Sequence, residues 1–521
     1  MAAVAERKAV KPAHEFDKVL GAGWRDPRWR LRNLYWIIDK DSKVVRFVPN
    51  EEQEDFLDNY WTRNLILKAR QLGFSTLMAM LELDQALFNF NYNGVIIADT
   101  LPNAGKLFGK VEFAYDHLPA PLREAVPTKS RTTRSEIVFV NGSSIGVGVS
   151  ARGGTVQNLH VSELGKIAAK APIRAAEIVT GAFESVSLDN FITVESTAEG
   201  AVGEFYELVM PALKRYHEGA PETKLDWRLH FFPWWRRASY SLTPEDAALV
   251  PIEPKDELYF RGLTAKTGHV FTTGQKAWYV KKRETLARKM KQEYPSTPEE
   301  AFEVAIEGAV YGEEMTSLRE KGRITDVPLD INYPVNSFWD LGKRDMTAIW
   351  LHQHIGLQDR WFWYHEDNNK DLNHFWTLLD QKRIDEKFRW GRHFLPHDAA
   401  TEILGKSITT HQRTLVDLGM RNETVVPRIQ QLSLGIDLTR KALAGNHWFD
   451  RVNAAQGIKC LDGYQFGWSE TMLVWTQEPL HNWASHGADA YRQFAQAFPE
   501  GYTDGADDSL ADFKNRTRNR Y

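Results

Sequence analysis

Cysteine is almost absent: Cys460 is the only one in 521 residues. That excludes a disulfide scaffold or a Cys-rich zinc site and suits a reducing compartment, with cytosolic residence the default. Long hydrophobic runs are missing too. No stretch reaches the roughly 18 consecutive apolar residues of a membrane span, and the segment MAAVAERKAVKPAHEF lacks the apolar core of a secretory signal. The chain is therefore expected to be neither exported nor membrane-spanning. Charge of one sign is also scarce, with a net −4 from 65 basic and 69 acidic residues. A globally basic nucleic-acid binder is not indicated, so local patches must carry any contact with DNA. Internal repeats are lacking, and with 43% hydrophobic and 26% charged residues the composition excludes a collagenous or low-complexity chain. At roughly 150 residues per domain, the length predicts two large domains plus smaller appendages.

Between residues 60 and 200, short apolar runs alternate with helix-like stretches. The runs are NLILK (64–68), GVIIAD (94–99), SSIGVGVS (143–150), NLHVSE (158–163) and FITVEST (191–197). Strands buried on both faces read this way, and the intervening stretches 75–90 and 103–118 predict a mainly parallel α/β sheet. We read 1–210 as the core of a first domain and 211–304, with its LHFFPWWRRASY segment, as a lid or linker subdomain completing it. Within the latter, Lys281, Lys282, Arg283, Arg288, Lys289 and Lys291 form a basic run that is either a DNA patch or a solvated helix face. Beyond 305, SFWDLG, TAIWLHQHI and RWFWYHED are strand-like runs joined by short turns, which predicts antiparallel pairing. A helix (371–383), a strand RHFLPHD (392–398) and a final helix (481–497) complete a second α/β domain over 305–500. Residues 501–521 read as a mobile tail.

The run Lys68-Ala-Arg-Gln-Leu-Gly73-Phe-Ser75-Thr76 sits where a strand ends and a helix begins, the place where backbone amides and the helix dipole hold phosphates. It has the length of a P-loop, but Phe74 occupies the lysine position and Lys68 that of the first glycine. Lys68 can supply the phosphate cation from the other end of the loop, with Arg70 as a spare and the Ser75 hydroxyl as a Mg²⁺ ligand. About 90 residues on, NLHVSE ends a strand in Glu163, a candidate to polarise the attacking water. The acid that ordinarily precedes it to anchor Mg²⁺ is replaced by Ser162. A third strand, T193-V-E-S-T197, ends in hydroxyls, Ser196 and Thr197, suited to sensing a γ-phosphate.

In the C-terminal part, Asp340 in WDLGKRDMT, Asp398 in FLPHD and Asp489 in HGADAYR come from distant segments. Converging, they would offer the oxygen ligands that Mg²⁺ or Mn²⁺ prefers for two-metal phosphodiester cleavage. Solvated or capping aspartates are the alternative. Asp345, His397 and His486 are accessory candidates, with His481 and Glu366 ranked lower.

Taken together, these motifs in this order resemble the large terminase subunit, the DNA-packaging ATPase and nuclease of tailed bacteriophages, over most of the chain. The family's phosphate loop often opens with lysine and reads K-x-R-Q-x-G-x-S. D-L-G-x-x-D-x-T, P-H-D and H-x-A-D-A-x-R resemble its three acidic stations, and QEYPSTPEEAF (292–302) resembles the stretch closing its ATPase domain. The resemblance implies a P-loop, RecA/ASCE-like ATPase domain followed by an RNase-H-like nuclease domain with a mixed sheet. It further implies that Gln53 reads adenine, that Arg152 is an arginine finger, and that Ser196 and Thr197 belong to the motif coupling hydrolysis to DNA movement. The implied cofactors are ATP with Mg²⁺, and Mg²⁺ or Mn²⁺ for the nuclease, with Asp340, Asp398 and Asp489 as the metal ligands. The implied partners are double-stranded DNA, a small terminase subunit, the portal of the procapsid and further copies forming a ring of five, without a membrane. The place of work would be the host cytoplasm, docked on the procapsid. A helicase-like repair ATPase and nuclease is the alternative, and a nucleotide-dead scaffold is disfavoured by Lys68, Ser75 and Glu163 occurring together.

Overall fold

In the computed structural model the chain divides into two units, Met1–Val304 and Ala305–Tyr521. The structure describes residues 17, 20–132, 135–150, 154–303, 308–342, 346–403, 409–429, 431–469 and 474–497. Among the described residues no helix is long and apolar enough to cross a membrane.

The first unit is built on an eight-stranded sheet. Its strands are β1 (Arg63–Lys68), β2 (Asn93–Ile97), β3 (Thr128–Thr132), β4 (Glu136–Phe139), β5 (Ser144–Gly148), β6 (Val156–Ser162), β7 (Val186–Ser196) and β8 (Arg228–Phe232). They lie in the order β8-β1-β7-β6-β2-β5-β4-β3. All neighbours from β8 to β5 run parallel, and β4 and β3 add an antiparallel edge. Helices α1 (Glu51–Asp58), α2 (Phe74–Phe88), α3 (Leu101–Asp116), α4 (Leu164–Lys170) and α5 (Glu204–Glu218) connect and flank the strands.

Every residue of β1 is buried. Ile66 joins an apolar layer with Leu77 and Met78 of α2 and Phe108 and Val111 of α3, whereas Leu65 and Leu67 join a second layer with Ile167 of α4 and Phe205 and Val209 of α5. That is why the strand reads as a continuous apolar run rather than an alternating one. Order in a parallel sheet has a further consequence: the carboxyl ends of β1, β7 and β6 emerge side by side, with Leu67 opposite Ser196 and Ser162 opposite Glu195.

The boundary expected at residue 210 falls inside α5, and the segment read as a lid contributes β8 to the core sheet, parallel to β1. The strand was not among those expected, because Pro233 and the aromatic and basic residues after it dominate the composition of that segment and hide its five residues. Helices α6 (Pro254–Thr267) and α7 (Thr273–Leu286) follow; Phe260, Leu263, Trp278 and Tyr279 bury their rings and branches in the layer of α2.

The second unit has a seven-stranded mixed sheet. Strands β9 (Val335–Asp340), β10 (Thr347–Ile355) and β11 (Gln358–Asp367) form the antiparallel meander expected from the short turns. Strand β12 (Trp390–Leu395) lies parallel beside β9, followed by β13 (Glu423–Val425). Strand β14 (His447–Asp450) and the two-residue strand Ile324–Thr325 extend the other edge. One face packs on α9 (Leu432–Ala444), α10 (Ala455–Gly463) and α11 (Ser485–Ala497), with Phe338, Trp350, Trp361 and Tyr491 at its centre. The other face packs on α8 (Leu372–Glu386), through Trp339, Ile349, Phe375 and Leu379. The chain therefore is an α/β protein with a mainly parallel sheet and a second, mixed one.

Away from the sheet ends, one buried ion pair fastens the N-terminal helix Pro27–Asn33 to α2. The Arg30 guanidinium donates to both Asp84 oxygens at 2.8 and 2.7 Å, and the Tyr35 hydroxyl donates to the same carboxylate at 2.7 Å. Asp84→Ala leaves that guanidinium and phenol buried without their acceptor. It is expected to cost about 3–5 kcal/mol, measured from the urea unfolding transition. A loss below about 1 kcal/mol would show that the packing, not the pair, holds the helix.

Candidate nucleotide and acidic sites

Five residues separate β1 from α2, and two of them adopt left-handed backbone, Gln71 with φ 60° and Gly73 with φ 79°. These turns fold the chain back over the sheet end. A side chain at Gly73 would be strained by that φ, and its Cβ would lie 2.9 Å from Gln53 Nε2. Gln53 is a buried residue of α1 whose carboxamide donates to the Gly73 carbonyl at 2.8 Å and accepts from the Asn50 amide at 2.9 Å. Asn50 in turn donates to the Leu72 carbonyl at 3.0 Å. The loop is thus moored from below by a capping box. Phe74, at the position where the general motif has lysine, is buried against Phe232 and Phe56, with centroids 4.8 and 5.7 Å away. It is a core residue.

The cation comes from Lys68 at the end of β1. Its Nζ lies 3.6 Å from Glu163 Oε1 and 3.6 Å from Glu195 Oε2. Burial pushes the Lys68 ammonium down, but the two carboxylates outweigh it and hold it above its ordinary value. Glu195 is the residue that sequence reasoning missed. It is fully buried on β7, and its Oε1 accepts from the Ser75 hydroxyl at 2.5 Å and the Ser162 hydroxyl at 3.2 Å, with His160 Nε2 also at 3.2 Å. Burial pushes its carboxyl up, yet Lys68, His160 and Ser75 together hold it well below the usual carboxylate range. A charged residue inside an otherwise apolar and hydroxyl-bearing strand was the available signal.

Glu163 caps α4 in left-handed conformation, φ 63° and ψ 45°, a sparsely populated region for a non-glycine residue that clusters at functional sites. Its amide donates to the Glu195 carbonyl at 2.6 Å, and Lys166 Nζ stands 3.2 Å from its Oε2. Ser196 Oγ accepts from the Gly165 amide at 3.1 Å, so the end of β7 holds the start of α4 directly. A Cβ at Gly165 would meet Ser196 Oγ and the Thr197 carbonyl at 2.8 Å. Thr197 is buried beside it. On the opposite wall, Lys110 of α3 donates to Thr76 Oγ1 at 2.9 Å; burial pushes its ammonium down. Lys68, Gly73, Ser75, Thr76, Lys110 and Glu163 face a cleft of about 330 Å³. Arg70 also borders it, but its guanidinium is paired with Glu293 of QEYPSTPEEAF, whose carbonyl accepts the Arg70 amide at 3.0 Å. Arg152 lies outside the described residues.

On the second unit, Asp340 ends β9 and its Oδ2 is 3.0 Å from His486 Nδ1 of α11. Asp489, one turn along α11, is 2.7 Å from Arg492 Nη1. Burial pushes the Asp489 carboxyl up to about 6, and the charge of Asp340 adds to the rise against Arg492, His486 and His481. Two carboxylates therefore share one site. Asp398 is the second residue of the turn His397–Ala400 after β12, beyond the same end of the sheet as Asp340, and is exposed. Among the described residues no side-chain contact joins it to the pair. His397 beside it is exposed too, and Asp345 lies outside the described residues. Glu366, which shares the Ala348 register row with Asp340, is bonded to Tyr364 and to Gln456 Nε2. His481 accompanies His486, with ring centroids 5.2 Å apart. The basic run is partly neutralised: Lys281, Arg283 and Lys291 pair with Glu284, Asp256 and Glu303.

No protein-family model and no curated protein sequence matches the chain. Among solved structures, it is similar to the large terminase from the thermophilic bacteriophage D6E in complex with ATP-gamma-S, with 14% identity over 84% of this chain and 94% of that one, TM-score 0.29. It is similar to the HK97 bacteriophage large terminase at 11% identity over 91% and 99% of the two chains, TM-score 0.44. A third is the large terminase nuclease domain from bacteriophage SPP1 with bound Mn, at 9% identity over 32% of this chain and 87% of that domain, TM-score 0.25. All three are bacteriophage large terminases.

Gln53 spends one end of its carboxamide on the loop and the other on the Asn50 amide that caps its own helix. Gln53→Ala is therefore expected to weaken adenine and guanine nucleotides alike, by about fivefold for a lost bond worth about 1 kcal/mol, in a fluorescent-nucleotide binding assay. A changed ratio between the two bases would assign the side chain to the base instead.

Proposed function

We propose that the chain is the large subunit of a viral DNA-packaging motor. In this reading the first unit hydrolyses ATP to drive double-stranded DNA into a preformed capsid, and the second is a metal-dependent endonuclease that cuts concatemers into genome units. The observation that carries the proposal is the meeting of Lys68, Ser75 and Glu163 at the carboxyl ends of parallel strands, in a chain whose second unit joins Asp340 at a strand end to α11, the helix of His486 and Asp489.

The donor sets fit the cations this chemistry needs. Ser75 and Glu195 offer hard oxygens at the first site, and Asp340 and Asp489 do so at the second, where Asp489 Oδ1 is shielded from water with the Arg492 guanidinium 2.7 Å away. Bound Mg²⁺, or Mn²⁺ at the second site, would supply charge neutralisation and Lewis acidity there. The rest is done by the chain. Lys68, kept charged by its two carboxylate neighbours, turns to the β- and γ-phosphate oxygens as nucleotide enters. Glu163 then loses one of its lysine partners, and its carboxylate becomes free to accept a hydrogen bond from the attacking water. Lys110 and Lys166 line the cleft and favour its anionic substrate. Gly73 and Thr76 hold the loop, while Arg70 serves as a spare cation once released from Glu293. Arg152 would complete the site as an arginine finger. Because Ser196 grips the Gly165 amide, a movement at the end of β7 is passed to Glu163, which is how Ser196 and Thr197 would couple hydrolysis to DNA movement.

The partners in this reading are DNA, held mainly through its phosphates and so salt-sensitively, a small terminase subunit, a portal and a ring of five copies. The motor would work in the host cytoplasm on the procapsid. Asp398 is proposed as the third acidic ligand, brought to the Asp340–Asp489 pair when metal and DNA bind.

Glu163→Gln is expected to lower steady-state Mg²⁺-dependent ATP hydrolysis about a hundredfold or more, with and without double-stranded DNA, while sparing Mn²⁺-dependent plasmid cleavage. Asp489→Asn is expected to do the reverse. If each substitution reduced both activities equally, the assignment of one chemistry to each unit would be wrong.

A further inference from the structure

A phosphate-loop site of this kind needs a carboxylate beside the loop hydroxyl to hold the divalent cation, and the strand-end residue that ordinarily supplies it is Ser162 here. Glu195 is the register partner of Ser162 on the adjacent strand. We propose that Glu195 has taken over that duty: it receives the Ser75 hydroxyl and anchors the cation that accompanies the nucleotide, from β7 instead of β6. Four contacts support the relocation. Ser75 Oγ is 2.5 Å from Glu195 Oε1, and Ser162 Oγ is 3.2 Å from the same atom, so a carboxylate at either position addresses one point. His160 Nε2, at 3.2 Å, fixes that oxygen from below. The other oxygen, Oε2, is buried without a hydrogen bond, with Lys68 Nζ 3.6 Å away. A merely structural partner for Lys68 would not need the Ser75 hydroxyl, and Glu163 already pairs with that lysine.

This inference rests on reading the cleft as a nucleotide site, and the test separates the two. Binding of a fluorescent ADP analogue to the full chain is measured with Mg²⁺ and with EDTA. Wild type is expected to bind at least tenfold more tightly with Mg²⁺. Glu195→Gln is expected to lose that Mg²⁺ dependence and keep EDTA-state binding within about threefold, which also shows that it folds. The double variant Ser162→Asp with Glu195→Gln is expected to recover at least half of the Mg²⁺ effect on a logarithmic scale. Undiminished Mg²⁺ dependence in Glu195→Gln overturns the proposal alone. Failure of wild type to bind the analogue in either condition overturns the nucleotide site and the proposal together.

A second observation stands apart from the nucleotide cleft. His365 and Asp367 alternate onto the same side of β11, the side carrying Trp363, and His374 sits in the first turn of the helix Leu372–Glu386 that covers that face. One ligand atom from each of His365, Asp367 and His374 lies within 4.8 Å of the other two. His374 Nε2 is 3.5 Å from Asp367 Oδ2, and the Nε2 atoms of His365 and His374 are both shielded from water without a hydrogen bond. Asp340 and Glu366 face the other side of the sheet, so this cluster is not the acidic pair. We infer that it binds a transition-metal ion of the zinc class. Two imidazole nitrogens and one carboxylate suit Zn²⁺, Co²⁺ or Ni²⁺ better than Mg²⁺.

Titration of the metal-stripped full chain with Co²⁺ in millimolar Mg²⁺ is expected to raise visible d–d absorption at one equivalent. His374→Ala and His365→Gln are each expected to weaken Co²⁺ binding at least tenfold while leaving plasmid cleavage unchanged. No cobalt spectrum with wild type, or one that both variants retain, overturns the site.

Discussion

Everything at the nucleotide cleft depends on burying Lys68 and Glu195 together. Taking either charge out of water alone costs several kcal/mol, and their attraction repays this only when the remaining polar atoms are also satisfied. The sheet supplies that condition through topology. Because β7 lies between β1 and β6 and all three run parallel, lysine, carboxylate and hydroxyls are delivered to one point by strands that are themselves anchored in two apolar layers. The charges are thus gathered at one point by the sheet itself, before any substrate arrives.

From this constraint the departures from the strict phosphate-loop motif become one change instead of three. Phe74 is committed to the core between Phe56 and Phe232, so the loop cannot carry its lysine there. Lys68 supplies the charge from the strand below, and a buried lysine at that level calls for a buried carboxylate at the same level. Glu195 is that carboxylate. With Glu195 present, an acid at position 162 would place two carboxylates on adjacent register partners, whose repulsion in a low-dielectric interior would push one of them to its neutral form. A serine that donates to Glu195 avoids that conflict.

How much of this was legible in the sequence follows the same logic. The buried strands, the meander of the second unit and the loop between β1 and α2 were readable, because burial on both faces and short turns leave local signatures. Lys68, Ser75 and Glu163 were found as strand-end chemistry. Glu195 was not, since TVEST reads locally as a strand ending in small hydroxyls, and its weight comes from which strand lies between β1 and β6, a pairing between distant segments. The strand β8 was hidden by the Trp and Arg residues that follow it. The nearness of Asp340 and Asp489 likewise depends on α11 packing over β9, which no local pattern encodes.

The two sites treat charge in opposite ways, and that difference bears on what each can hold. In the first, Lys68, Lys110 and Lys166 face Glu163 and Glu195 around one cleft, so the positive charges are held in place by carboxylates that an incoming polyanion can displace. In the second, burial raises the Asp489 carboxyl, and Asp340 adds to that rise against the opposing charge of Arg492 and the neighbouring histidines. A cleft with surplus ammonium groups favours an anion. Two neighbouring carboxylates offer the hard oxygen ligands a divalent cation prefers, and a cation between them would offset their mutual repulsion. The first site is thus preset for an anion and the second for a cation, from the side chains of the chain alone.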